Sequence, residues 1–189
     1  MWMSELPPFG PFFLAALLAL LTRGPLRAAL MLAAPLLGGL HLWFDVPDGT
    51  LLSVSLLEFE LTLMRADRLS LLFGYIFHIA AFILVIYTLH LRDTMQHVAG
   101  LVYAGSALGA VFAGDLITLF VFWEGLAISS VFLVWCRGTE RSYRSGMRYL
   151  IVHVTSGVLL LAGTILHVHE TGSLAFDHLG LNGLATGLI

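Results

Sequence analysis

Asp115-Leu-Ile-Thr-Leu-Phe-Val-Phe-Trp-Glu124-Gly-Leu-Ala-Ile-Ser-Ser130-Val-Phe-Leu-Val-Trp-Cys136-Arg137 is the stretch on which the fold turns. Between Asp115 and Arg137 only Glu124 carries charge. At about 1.5 Å rise per residue the interval makes a helix of roughly 30 Å, the depth of a bilayer's hydrocarbon core. Glu124 stands nine residues after Asp115 and thirteen before Arg137, roughly 13 Å from one end and 20 Å from the other, close to the midplane. A carboxylate there is costly against lipid, and such residues are rare unless they face a bundle interior on an ion or proton path. Phe120, Val121, Ala127 and Ile128 share its helical face and are apolar, so any polar partner must come from another helix. Burial disfavours the charged form of a carboxyl group and a nearby cation favours it. That competition lets such a group take up and release a proton.

The pattern extends in both directions. Of the 189 residues, 59% are hydrophobic and 11% charged, with a mean hydropathy of +0.93. Soluble domains carry about one-quarter charged residues, so a water-soluble globule and a disordered chain are both excluded. The net charge is -3 and the nine basic residues are all arginine, which leaves no basic surface for nucleic acid. The lone Cys136 lies in an apolar run and reads as a packing residue. Apolar runs predict an all-α integral membrane protein, one domain over residues 1–189, with helices at about 6–22, 26–44, 69–91, 94–114, 115–136 and 147–168. Residues 182–189 read as the start of an incomplete seventh helix. The first residues include Glu5 and no basic segment, so the first apolar run is expected to remain in the mature chain.

Arginine placement predicts the orientation. Seven of the nine lie on the first, third and fifth connections: Arg23, Arg27, Arg92, Arg137, Arg141, Arg144 and Arg148. Positive residues in short loops stay on the cytoplasmic side, so the N-terminus is expected outside, in a bacterial inner membrane. Most acids, Asp45, Asp48, Glu60, Asp67 and Asp115 among them, fall on the opposite side. In the second connection, residues 57–63 alternate apolar and polar after a Pro47-Asp48-Gly49 turn, the pattern of an external β-hairpin between helices 2 and 3. Gly105, Gly109 and Ala113 place small residues on one face of helix 4 for close packing.

His78 is the other titratable side chain at a depth matching Glu124, and a candidate proton-relay member. His153, five residues from Arg148, reads as nearer the cytoplasmic face and as a candidate for a proton entry path. Ser129 and Ser130 read mainly as helix-packing hydroxyls. No metal site is expected, because His167 and His169, two apart on a helix, point to nearly opposite sides. No cofactor is expected either.

These residues resemble a known family. The run from Asp115 to Ser130 resembles the fifth-helix signature of the antiporter-like proteins shared by Mrp-type multisubunit cation/proton antiporters and respiratory complex I. Gly146-Met-Arg-Tyr-Leu-Ile-Val-His-Val154, Gly157-Val-Leu-Leu-Leu-Ala-Gly163 and Thr171-Gly-Ser-Leu-Ala-Phe176 are most similar to the D-type member of the Mrp group. Arg65-Ala-Asp-Arg-Leu-Ser70 is similar to the hairpin that leads into helix 3. The resemblance implies that Glu124 is the family's fifth-helix glutamate, which in relatives pairs with a lysine on a broken seventh helix. It further implies that this chain is the N-terminal part of a larger antiporter-like fold, either a fragment or a split subunit. The partners implied are the other subunits of an antiporter complex, the lipid bilayer, protons, and Na+ or K+. Two alternatives stand beside this: an antiporter-like proton-translocating subunit of complex I or a membrane-bound hydrogenase, and a non-transporting structural or assembly subunit. A membrane-embedded enzyme is not expected.

Overall fold

A computed structural model describes residues 6–49, 51–56 and 59–175. Its order is α1 (Gly10–Leu21), α2 (Gly24–Phe44), β1 (Leu51–Leu56), β2 (Phe59–Arg65), α3 (Arg68–Thr88), α4 (Thr94–Phe112), α5 (Leu116–Trp135) and α6 (Glu140–Thr171). Five helices, α2 to α6, are long and apolar enough to cross a membrane, and the chain is a multi-pass membrane protein. Their outward faces carry exposed Leu37, Ile79, Ile83, Val121, Ile151 and Val158, a surface that water would disfavour and lipid accepts.

The helix starts are written in short polar side chains. Asp67, Asp93, Asp115 and Thr139 cap α3, α4, α5 and α6 by accepting backbone N–H bonds from Ser70, Met95, Thr118 and Ser142. Two helix starts differ from the sequence reading by more than two residues. The first helix begins at Gly10 rather than residue 6 and has 12 residues, about 18 Å of rise. Pro7 and Pro8 are the reason, since the residue before a proline is pushed out of the helical region, while Pro11 sits in the first turn, where proline is tolerated. The sixth begins at Glu140 rather than 147 and runs 32 residues. A Thr139–Ser142 capping box starts it and a Glu140–Arg144 pair at 3.0 Å supports its first turn, so this arginine-rich segment is helix, not loop. Gly172, at φ 70°, ends α6 in the left-handed conformation that an L side chain resists. Residues 182–189 lie outside the described part.

Around α4 the bundle assembles: α1, α3 and α5 pack on it, α2 joins α1 to α3, and α6 lies along α5. Phe12, Leu42, Leu108 and Phe112 are fully buried at the centre. The small-residue face of α4 admits aromatic rings. A Cβ at Gly105 would lie 3.1 Å from the Cβ of Phe12, and one at Gly109 would collide with the ring of Phe122. Ala113 follows the helix as its C-cap and is buried.

Between α2 and α3 stands the hairpin, β1 paired antiparallel to β2 with a bulge between Leu52 and Ser53. It is clamped to the bundle through Asp115, which is 2% exposed. One carboxylate oxygen accepts the Thr62 N–H (2.6 Å) and the Thr118 hydroxyl (2.8 Å), and the other accepts the Thr118 N–H (2.8 Å). Gly114 N–H donates to the Thr62 carbonyl (3.0 Å), and Leu116 N–H to Leu174 (3.1 Å). One aspartate thus joins hairpin, α5 and the chain after α6. Read from sequence as one of the outer charges, it is buried.

Asp115→Ala leaves three donors without an acceptor and is expected to cost about 3 kcal/mol. Asp67→Ala removes a half-exposed cap and is expected to cost about 1 kcal/mol. Thermal unfolding in detergent should show Asp115→Ala well below Asp67→Ala; equal losses would contradict the clamp. The Ser70 backbone N–H, helped by the Ser70 hydroxyl and Arg65, holds the Asp67 carboxyl below its usual range. A carboxylate so depressed stabilises the fold above its unfolded value of about 3.9 and loses that contribution as pH falls through the lower folded value. The Asp67→Ala difference should therefore be complete at neutral pH and shrink below about pH 4.

Candidate functional site

Halfway along α5, Glu124 turns toward α6. A Cβ built on Gly157 would collide with its Oε1 and lie 2.9 Å from its Cδ, so the carboxyl group rests against a stretch of α6 backbone that only glycine leaves open. Oε1 is buried and has no hydrogen-bond partner. On the neighbouring face of α5, a Cβ at Gly125 would lie 2.6 Å from Ser106 Oγ of α4. Small residues thus draw α4 and α6 close to α5 at the level of the glutamate.

Tyr149, His153 and Gly157 follow one another at four-residue spacing on α6, hence on one face. His153 lies one turn, about 6 Å, from Gly157 toward the arginine-rich end. Its Nδ1 is buried with no hydrogen-bond partner. The Tyr149 and His153 rings sit with centroids 4.2 Å apart, and the Tyr149 and Ser130 hydroxyl oxygens are 3.0 Å apart. Ser130 also donates to the Ala127 carbonyl at 2.7 Å, as Ser129 does to Gly125 at 2.6 Å. Along the α5–α6 seam, then, Glu124, His153, Tyr149 and Ser130 form a row of polar groups in otherwise apolar surroundings. The distance of His153 from Arg148 had suggested a level nearer the membrane edge than Glu124. Because Glu124 meets α6 at Gly157, the histidine lies about a turn from that contact point, on its arginine-rich side.

His78 lies elsewhere. Its Nδ1 is 2.7 Å from the Gly74 carbonyl and its Nε2 3.4 Å from that of Pro8. The ring packs near Phe12, with centroids 5.5 Å apart, and against Gly38, where an added Cβ would lie 2.5 Å from Nε2. These contacts belong to α1, α2 and α3, while Glu124 faces α6. No hydrogen bond among the described residues links the two. Of the C-terminal histidines, His167 is buried and His169 exposed.

What the sequence missed here is Gly157 and Tyr149. Their four-residue spacing through His153 was the available signal, but a spacing within α6 does not fix which residue of α5 it meets.

Residues 113–187, which hold α5, α6 and every member of the row, match the family described as NADH:quinone oxidoreductase/Mrp antiporter, transmembrane. Over that part the chain is similar to antiporter-like proteins of the Mrp type. The D-type component of the Na(+)/H(+) antiporter of Alkalihalophilus pseudofirmus is 35% identical over 66 residues, 35% of this chain and 13% of that one. The A1 component of the Na(+)/H(+) antiporter of Staphylococcus haemolyticus is 32% identical over 124 residues, 62% of this chain and 15% of that one. The solved Mrp complex of a Dietzia species superposes with a TM-score of 0.76 at 27% identity, over 93% of this chain and 20% of its counterpart. This chain therefore spans a fifth or less of each of these three.

Proposed function

We propose that this chain is a membrane subunit of a monovalent cation (Na+ or K+)/proton antiporter and supplies the proton-carrying carboxylate, Glu124. The observation that carries the reading is a carboxyl oxygen buried without a partner against Gly157, halfway along a spanning helix. A carboxyl oxygen so placed leaves an acceptor to be filled by water, a cation or a proton. His153, Tyr149 and Ser130 offer the exit, with His153 exchanging the proton and the two hydroxyls continuing toward the arginine-rich end. His78, held by two backbone carbonyls, belongs to a second place in the bundle and serves the α1–α3 packing. The chain has no lysine, so the cationic partner of Glu124 comes from a companion segment, and the working assembly has several subunits. Everted vesicles holding that assembly, charged with a pH gradient, should lose part of it on addition of NaCl or KCl. A gradient indifferent to both salts would leave the structural or assembly role in its place. Proton pumping tied to a redox substrate would favour a complex I or hydrogenase setting.

The arginine asymmetry supports a reading with the N-terminus outside and the hairpin on the same side, in a bacterial inner membrane. In a Cys136→Ser background, Ser55→Cys should react with an impermeant maleimide on intact cells and Ser145→Cys should not. Both positions are exposed, so the reverse pattern would invert the orientation.

A further inference from the structure

At the arginine-rich end of the bundle, away from the glutamate, two cavities meet. The first, about 760 Å³, is lined among others by Arg23, Arg27, His90, Arg92, Thr94 and His97. It lies where the α1–α2 and α3–α4 connections come together, beside the N-termini of α2 and α4. No acidic residue lines it. Asp93, next in sequence, is turned to its own helix and accepts the Met95 N–H at 3.0 Å. Among the described residues Arg23 and Arg92 have no ion pair, while Arg27 donates to Thr94 Oγ1 at 2.5 Å. Three guanidinium groups gathered without a counter-charge make a positive concavity that attracts an anion.

His97 is 5% exposed. Its Nε2 is 3.0 Å from the Leu91 carbonyl, which places the ring proton there, and its Nδ1 is buried with no hydrogen-bond partner. With Nε2 turned to that carbonyl, Nδ1 is the ring atom left to meet a hydroxyl group. His97 and Met31 also line the second cavity, about 240 Å³, with Phe12, Leu84, Val85, Gly100 and Leu133. That slot is apolar and adjoins the cationic one across Met31 and His97.

We propose that the paired cavities hold an anionic phospholipid, its phosphodiester among Arg23, Arg27 and Arg92, a headgroup hydroxyl at His97, and the head of an acyl chain in the apolar slot. Basic pockets between membrane helices at their water-facing ends suit such headgroups. A free phosphate would use the first cavity alone. This site is independent of Glu124 and of the direction of transport.

The test uses the purified chain in a neutral detergent, titrated with dioctanoyl phosphatidylglycerol and followed by tryptophan fluorescence. Dioctanoyl phosphatidylcholine and inorganic phosphate are the comparison probes. Arg23→Gln/Arg92→Gln removes two side chains that hold nothing else and should weaken phosphatidylglycerol about thirtyfold, at about fivefold per arginine near the surface. Arg144→Gln/Arg148→Gln removes equal charge elsewhere and should bind as wild type. Gly100→Leu enters the slot, where an added Cβ meets nothing within 4 Å, and should weaken phosphatidylglycerol while leaving phosphate unaffected. Equal binding of phosphatidylcholine, or wild-type binding by Arg23→Gln/Arg92→Gln, would overturn the site. Phosphate binding as tightly as phosphatidylglycerol, with Gly100→Leu silent, would make it a free-anion site and overturn the lipid assignment.

Discussion

Replacing Glu124 by glutamine is expected to abolish cation-dependent proton flux through the assembled complex, a fall of about two orders of magnitude or more, the scale on which losing a proton-transfer group is felt. Glutamine keeps the shape and the hydrogen-bonding capacity of the protonated acid and loses the exchangeable proton. The packing against Gly157 should survive, and expression and thermal stability should stay near wild type. Glu124→Asp keeps a titratable group but draws it back by one methylene, roughly 1.5 Å, toward α5, and should retain part of the flux. Glu140→Gln removes an exposed carboxylate whose 3.0 Å pair with Arg144 sits on the first turn of α6; such surface pairs contribute at most about 1 kcal/mol, so flux should be unchanged. Wild-type flux from Glu124→Gln would remove the site assignment.

A methyl group on Gly157 should be nearly as damaging to transport and harmless to the fold. Glycine in a helix interior is worth about 1 kcal/mol less than alanine, so Gly157→Ala gains helix stability. Its Cβ collides only with the Glu124 carboxyl group, the flexible end of a side chain that can swing aside. The carboxylate then leaves its place by roughly 1 Å, a displacement that can cost on the order of a hundredfold in a positioned reaction. Flux should fall at least tenfold while the unfolding temperature holds or rises. Because both residues act at one contact, Glu124→Gln/Gly157→Ala should transport no worse than Glu124→Gln alone. A Gly157→Ala chain with full flux would show that the carboxyl group's place on α6 is immaterial.

How much of this was legible in the chain depends on whether the information is local. The spanning runs are local, and Asp67, Asp93 and Asp115 mark the starts of α3, α4 and α5 because a short acid before an apolar run is both a membrane-edge charge and an N-cap. The same logic misplaced α6, since a row of arginines reads as a loop when hydropathy alone is followed. The capping box of Thr139 and Ser142 was the signal that helix had already begun. The first helix came out too long because its prolines count as apolar while they delay the helix. Glu124 announced itself as a lone charge. Its surroundings did not, because the facing of Glu124 on Gly157 is set by the register between two helices, which no periodicity within either one encodes. For the same reason depth alone paired Glu124 with His78, and the bundle instead seats that histidine among α1, α2 and α3. For Asp115 the sequence marked only the side of the membrane, whereas hairpin and helix close over it and its oxygens are filled by Thr62 and Thr118.

The most direct test of the central claim, that Glu124 is the group which takes up and releases the transported proton, is infrared difference spectroscopy on the reconstituted complex, switched between proton-loaded and cation-loaded conditions. The carbonyl stretch of a protonated carboxylic acid in apolar surroundings is separate from the amide and carboxylate bands. Wild type should show such a band appearing on proton loading and vanishing on cation loading, and Glu124→Gln should lack it. The same band persisting undiminished in Glu124→Gln would contradict the account.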